Sequence, residues 1–91
     1  MRQDYESRMR ARLEALRQEY EALRHGVEQA ETRLELEYYT RLEELQIALE
    51  SAEQKFELLL EAHEDQWKHI RDEVEQVWAA ARELVRAVNS P

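Results

Sequence analysis

Residues 38–67, YYTRLEELQIALESAEQKFELLLEAHEDQW, contain both the clearest apolar repeat of this chain and its clearest interruption. Large apolar side chains recur there every three or four residues, which places them on one side of an α-helix. The same repeat extends back to Met9 and forward to Val88. A helix with such an apolar stripe is only marginally stable alone in water, so it needs a partner that covers the stripe. The stripe therefore predicts an all-α protein whose helices associate.

The repeat keeps one phase along almost the whole chain. Its average step is close to ~3.6 residues, the period of a straight α-helix, whereas strict heptads would average ~3.5. This continuity predicts one long, near-continuous helix over residues 4–88, roughly 130 Å in length at ~1.5 Å per residue. We expect a single helical domain over residues 1–91, with a coiled-coil segment at 4–62 and a tryptophan-containing amphipathic helix at 65–88.

The stripe is also the predicted contact surface between chains, because a coiled-coil oligomer buries its apolar seam between helices. We expect the chain to associate with itself and with another helical protein through this surface. The predicted interface seam consists of Leu13, Leu16, Tyr20, Leu23, Val27, Leu34, Tyr38, Leu42, Leu45, Leu49, Phe56, Leu59, His63, Trp67, Ile70, Val74, Val77 and Leu84.

An alternative architecture folds the chain back on itself. A turn near residues 61–66, or one at Gly26, would give an antiparallel helical hairpin or a three-helix bundle, since a basic residue followed by glycine is typical of a helix end. Several apolar residues off the stripe favour this alternative, because they widen the apolar face beyond a two-stranded seam. They are Leu36, Tyr39, Ile47, Leu58 and Leu60.

Composition and charge exclude several classes of protein. The 91 residues include one glycine, one proline and no cysteine, which is unlike turn-rich β proteins and disulfide scaffolds. Residues 26–76 hold fifteen acidic and five basic side chains, so this segment repels phosphate and we expect no nucleic-acid partner. No signal peptide is visible, and no apolar run approaches the ~18 residues of a membrane span. We therefore expect a cytoplasmic protein.

No pattern in the sequence indicates an enzyme, a cofactor or a metal site. The chain has no glycine-rich phosphate loop, and its serines lack a paired base. A carboxylate-bridged metal centre in a bundle needs glutamate three residues before histidine. The residues three positions before His25, His63 and His69 are alanine, leucine and glutamine.

His63 lies where the stripe requires an apolar residue. It is either a tolerated polar residue that sets the register of the seam or a pH switch, because charging a buried imidazole would loosen the packing.

The helix at 65–88 has a second possible use. Its apolar face, with Trp67 and Trp78, could bind a lipid or membrane surface, but residues 67–88 carry four basic and four acidic side chains, so anionic lipid would attract it little.

The arrangement of these segments resembles a known group of proteins. The segment 37–45, EYYTRLEEL, is followed by further repeat, a polar interruption and a terminal helix with two tryptophans eleven residues apart. Over most of residues 10–88 this resembles short bacterial coiled-coil proteins, some of which are described as stress-response proteins in cyanobacteria. The resemblance implies a non-enzymatic interaction protein with a role in stress. Members of that group often have serine or glycine at the interruption, where this chain has His63, Glu64 and Asp65.

Overall fold

The computed structural model describes residues 1–29 and 36–89, and these residues form three α-helices. They are α1 (Arg2–Glu28), α2 (Leu36–Glu61) and α3 (Glu64–Asn89). Helix α2 runs antiparallel to the other two, and α2 and α3 pack together most extensively. The bundle is 51 Å long and 18 Å across between Cα atoms. The all-α prediction is confirmed, and the architecture is the three-helix alternative.

The single long helix predicted over residues 4–88 is not found. Helix α2 ends at Glu61, and α3 begins at Glu64 in the opposite direction. The carbonyl oxygen of His63 accepts the N–H groups of Gln66 and Trp67 at 3.0 and 2.9 Å, which starts α3. Glu64 and Asp65 follow in its first turn, where the positive end of the helix dipole stabilises carboxylates.

The phase of the stripe survives this turn because each helix needs an inward apolar face whether or not the chain reverses. A two-residue turn between α2 and α3 happens to preserve the four-residue spacing of the repeat. Phase continuity was therefore weaker evidence for one helix than the polar residues at 61–66 were for a turn.

A turn at Gly26, the less favoured of the two alternative turn positions, is not found. Helix α1 continues through Gly26 and ends at Glu28, where the N–H of Gln29 bonds to the His25 carbonyl oxygen at 3.0 Å. A glycine inside a helix costs about 1 kcal/mol relative to alanine, which a 27-residue packed helix can tolerate. The seam residue Leu34 lies outside the described residues.

The apolar stripes of the three helices meet along the axis of the bundle. Two clusters of buried side chains fill it, one towards the α2–α3 turn and one towards the other end. The first cluster contains Met9, Leu13, Ala52, Phe56, Leu59, Trp67 and Val74, and the second contains Leu16, Tyr20, Leu42, Leu45, Leu49, Ala81 and Val85.

Candidate protein-binding surface on helix α2

The predicted seam lies mainly inside the bundle, so the chain itself covers most of it. Leu13, Leu16, Tyr20, Leu42, Leu45, Leu49, Phe56, Leu59, Trp67 and Val74 are buried. Leu23, Val27, Tyr38, Ile70, Val77 and Leu84 are half-buried. Leu84 belongs to the predicted seam and Val85 does not, but Val85 is the residue that is buried.

The structure corrects the prediction for His63, which does not belong to the buried seam. Its side chain is exposed, because the residue lies in the turn between α2 and α3 and not on a continuing helix. The histidine therefore neither sets a register in the core nor carries a buried charge that could open it.

An arginine near the start of the chain fastens the end of the bundle at the α2–α3 turn. The Arg2 guanidinium donates hydrogen bonds to the carbonyl oxygens of Leu59 and Leu60, at 3.2 and 3.1 Å. These belong to the last turn of α2, where helix carbonyls lack partners within the helix. Arg2 also pairs with Glu6 at 2.9 Å and with Glu64 at 3.1 Å. The hydrogen bond to Glu6 holds the pKa of Arg2 above its usual value.

Trp67 lies at the same end of the bundle, and its indole N–H has a hydrogen-bond partner. The indole N–H donates to Glu6 at 3.0 Å, and the ring of Tyr5 meets the indole edge-on at 5.6 Å between centroids. The Tyr5 hydroxyl donates to Glu75 at 2.7 Å. Burial, followed by this hydrogen bond, raises the pKa of Tyr5 well above its usual value. These groups join α1 to α3, and each has a structural partner.

Further along the bundle, arginines attach α1 to the α2–α3 hairpin. Arg17 pairs with Glu53 through two hydrogen bonds, which raises the pKa of Arg17, and Arg82 pairs with Glu19 at 3.0 Å. Arg10 and Arg12 lie over aromatic rings, and such cation–π contacts contribute about 0.5–1 kcal/mol each at exposed sites.

Arg12 lies over Trp78, 5.1 Å from the ring centroid. The Nε1 atom of Trp78 is buried, and no hydrogen-bond partner for it lies among the described residues. The neighbouring Arg12 and Arg82 already face Glu75 and Glu19, so this corner is a packed contact between α1 and α3.

Helix α2 also has a side that faces away from the core. Apart from Met1, the large apolar side chains with the highest exposed fractions among the described residues lie there. Leu36, Ile47 and Leu58 are 80%, 62% and 52% exposed. They follow one another at eleven-residue intervals, and an α-helix turning about 100° per residue brings such positions back within about 20°. The three side chains therefore form one line, which we call the outer ridge, roughly 33 Å long at ~1.5 Å per residue.

The structure also corrects the prediction for the residues of the outer ridge. Its residues and Tyr39 were expected to be buried against neighbouring helices, but they are exposed. Leu60 alone of the off-stripe residues is half-buried and packs against the core. The reason is geometric: Ile47 lies about half a turn from Leu45 and Leu49, which face the bundle axis.

Carboxylates flank the outer ridge, four on one side and Glu44 on the other. Glu43, Glu50 and Glu61 lie on the same side of α2 as Ile47, and Glu44 and Glu57 lie at its margins; all five are exposed. Among the described residues, the glutamates of α2 that form ion pairs are Glu37 and Glu53, not these five. The ridge thus presents apolar side chains within a field of negative charge.

A shallow groove borders the middle of the outer ridge. It lies between α2 and α3, has a volume of about 350 Å³ and is almost entirely apolar. Its lining residues are Glu44, Ile47, Ala48, Ser51, Val77 and Ala80. Small side chains leave the groove open, and no lysine or arginine lines it. The groove can accept one large apolar side chain from a second molecule.

Within residues 1–29 and 36–89, no cluster of three or more histidine or acidic side chains has the spacing to hold a metal ion. None of the three described helices combines the length and the apolar character of a membrane span. The groups with shifted pKa values, Arg2, Tyr5, Arg17 and Glu73, lie at contacts between helices, away from the outer ridge.

The sequence held a signal for the outer ridge. Leu36, Ile47 and Leu58 share an eleven-residue spacing off the main stripe, which places them on one line of a straight helix. The spacing alone could not show whether a neighbouring helix covers that line. Because α1 and α3 both pack on the other side of α2, the line faces outwards.

Comparison with known proteins finds no matching family model, no similar curated protein and no similar solved structure. The resemblance to short bacterial coiled-coil proteins stays a prediction.

Proposed function

We propose that this protein is a non-enzymatic helical module that binds another protein through the outer ridge of α2. The observation that carries the proposal is the alignment of Leu36, Ile47 and Leu58 on the solvent side of one helix. Scattered exposed apolar residues are normal on protein surfaces, but apolar side chains aligned along one face of a helix are typical of a surface that another element covers. A helix packed lengthwise along α2 would contact all three side chains.

The apolar part of this surface supports only weak binding by itself. Covering a large aliphatic side chain completely is worth about 1.5–3 kcal/mol, so these partly exposed residues would contribute about 1–2 kcal/mol each. Association costs at least about 4 kcal/mol in lost translational and rotational freedom. Three anchors thus roughly offset that cost, and measurable affinity requires further contacts around the ridge.

Site-specific photo-crosslinking tests this proposal. A photoreactive phenylalanine derivative is introduced at position 47 or 58 of the full chain, and at Gln18, an exposed position on α1, as the control. In extract of the source cells, we expect one protein to crosslink at 47 and 58 but not at 18, and to be lost when Leu36 is replaced by Gln. Equal crosslinking at all three positions, or none at 47 and 58, would contradict the proposal.

Self-association into a coiled-coil oligomer stays a prediction. A seam that is already buried within one chain supports an oligomer less than an exposed seam would. Most of its residues already contact one another inside the bundle. Light scattering over a range of protein concentrations measures the mass directly.

The role in stress response is a further prediction that depends on the resemblance alone. The lipid-binding alternative also remains to be tested. In its favour is the apolar face of α3, but Trp67 is buried in the core and would have to leave it. Co-sedimentation with vesicles, together with tryptophan fluorescence, tests this alternative.

A further inference from the structure

We infer that the segment bound on the outer ridge is a cationic amphipathic helix that lies along α2 and places one large apolar side chain in the groove beside Ile47. This inference rests on the proposed function and names the class of its partner. Its basis is the combination of the exposed apolar line, the carboxylates around it and the apolar groove.

The charges around the ridge select a basic partner. Glu43, Glu44, Glu50 and Glu61 are exposed within about 60° of Ile47 around the axis of α2, whereas Glu57 borders the groove that Arg10 and Arg17 line. The two cations of α2 are turned towards other partners, since Arg41 pairs with Glu37 and Lys55 pairs with Glu73. Complementary charge steers association and rejects like-charged partners. Arginines and lysines beside the apolar anchors would neutralise the carboxylates that docking partly desolvates.

A second copy of this chain is a poor occupant for the ridge. Two α2 helices packed through their ridges would place glutamates against glutamates. Among the described residues, the other exposed large apolar side chains are Met1, before α1, and Tyr39, on α2 itself, so α1 and α3 offer no apolar line to complement the ridge. Anionic vesicles are disfavoured by the same charges.

The chain already shows how its α2–α3 hairpin holds an arginine-rich helix. Helix α1 carries six arginines and buries Met9, Leu13 and Leu16 against the hairpin. Its Arg17 forms a two-bonded pair with Glu53 of α2, and its Arg10 covers the ring of Phe56. The outer ridge repeats this chemistry of apolar anchors and carboxylates on the uncovered side of α2.

The dimensions of the ridge set the length of the partner. Leu36 and Leu58 are 22 residues apart, so a helix of about 22 residues covers the line from end to end. Its apolar residues should recur every three or four positions, with arginine or lysine at the flanking positions.

Fluorescence anisotropy with designed peptides tests the inference on the full-length protein. The probe is a labelled helical peptide of about 22 residues with leucines on one face and arginines and lysines on both flanks. One control peptide has glutamine in place of each leucine, and another has glutamate in place of each basic residue. We expect both controls to bind about tenfold or more weakly than the probe. Raising NaCl from about 0.1 to 1 M should also weaken binding of the probe, because the Debye length falls from ~10 to ~3 Å.

Paired variants separate the ridge from the net charge of −8. Glu43→Gln/Glu50→Gln removes two carboxylates at the ridge, and Glu14→Gln/Glu83→Gln removes two exposed carboxylates from α1 and α3. We expect the first pair to weaken probe binding severalfold and the second to change it less than about twofold.

A third variant, Ile47→Gln/Leu58→Gln, keeps every charge and removes two anchors. We expect it to lose about tenfold or more in affinity for the probe. Circular dichroism and thermal melting confirm that each variant is folded.

The possible outcomes separate this inference from the proposed function. Equal weakening by the two carboxylate pairs would show general attraction to an acidic protein and overturn the inference. Equal binding of the acidic or leucine-free peptide would also overturn it, while crosslinks at 47 and 58 would still support a different partner on the ridge. A dimer abolished by Ile47→Gln/Leu58→Gln would assign the ridge to a second copy. No peptide binding together with no crosslink would contradict both.

Discussion

Two residues of α2, only two positions apart, should respond very differently to truncation. Leu45 is fully buried in the core, whereas Ile47 is 62% exposed on the outer ridge. Replacing a buried leucine by alanine removes its transfer free energy and leaves a cavity, at a cost of about 2–5 kcal/mol. For a domain of this size each kcal/mol lowers Tm by about 4–8 °C, so we expect Leu45→Ala to lower Tm by about 10 °C or more.

Ile47→Ala should change stability little. About two-fifths of the isoleucine is covered in the bundle, so its loss is small, and alanine gains several tenths of a kcal/mol in helix propensity over isoleucine. The two effects nearly cancel, and the net change should lie within about 0.5 kcal/mol. Because both substitutions produce alanine in the same helix, a difference between them reports mainly on which face of α2 is buried and not on helix propensity.

Thermal unfolding followed by circular dichroism measures both variants. The scans should be repeated over a hundredfold range of protein concentration, because the melting temperature of an oligomer depends on concentration and that of a monomer does not. A cost for Ile47→Ala comparable to that of Leu45→Ala would refute the reasoning, since it would mean that the outer ridge is buried in solution. A strong concentration dependence would refute the single-chain core.

Three further predictions concern the contacts that hold the helices together. Arg2→Ala should lower Tm more than Arg8→Ala, because Arg2 bonds to the last carbonyls of α2 while Arg8 is exposed; equal effects would remove Arg2 from its fastening role. The hydrogen bond from Lys55 holds the pKa of Glu73 below its usual 4.5. The Tm difference between wild type and Glu73→Gln should therefore be present above pH 4.5 and disappear as the pH falls below it. A constant difference would contradict this. His63→Leu should leave the pH dependence of melting between about pH 5 and 7.5 unchanged, since the imidazole is exposed, and a clear change would restore the pH-switch hypothesis.

The sequence predicted the inward faces of the helices well and their connections poorly. Leu42, Leu45 and Leu49 could be assigned to one buried line because apolar periodicity reports directly on which side of a helix avoids water. The same periodicity says nothing about chain direction, since a helix that reverses must still turn its apolar side to the core. The polar sequence around His63 held the information on the turn, and its weight against the continuous phase could not be judged from one chain.

The fastening role of Arg2 could not be predicted at all. Its partners are the carbonyl oxygens of Leu59 and Leu60, which are backbone groups and leave no mark in the sequence. Only the three-dimensional meeting of the start of α1 with the end of α2 creates this contact. The local i,i+4 pair with Glu6 was visible in the spacing, but such pairs occur on many exposed helices and do not identify a junction.

The outer ridge combines apolar side chains, which favour binding, with carboxylates, which disfavour acidic partners. This combination supports the proposal of a specific partner. Leu36, Ile47 and Leu58 expose apolar area that would promote indiscriminate association if neutral residues surrounded it. In the proposed contact, the flanking glutamates would disfavour a second copy of the chain and anionic surfaces, because like charges in a contact are costly. A cationic amphipathic helix satisfies both features at once, and so the ridge is the place where partner searches should begin.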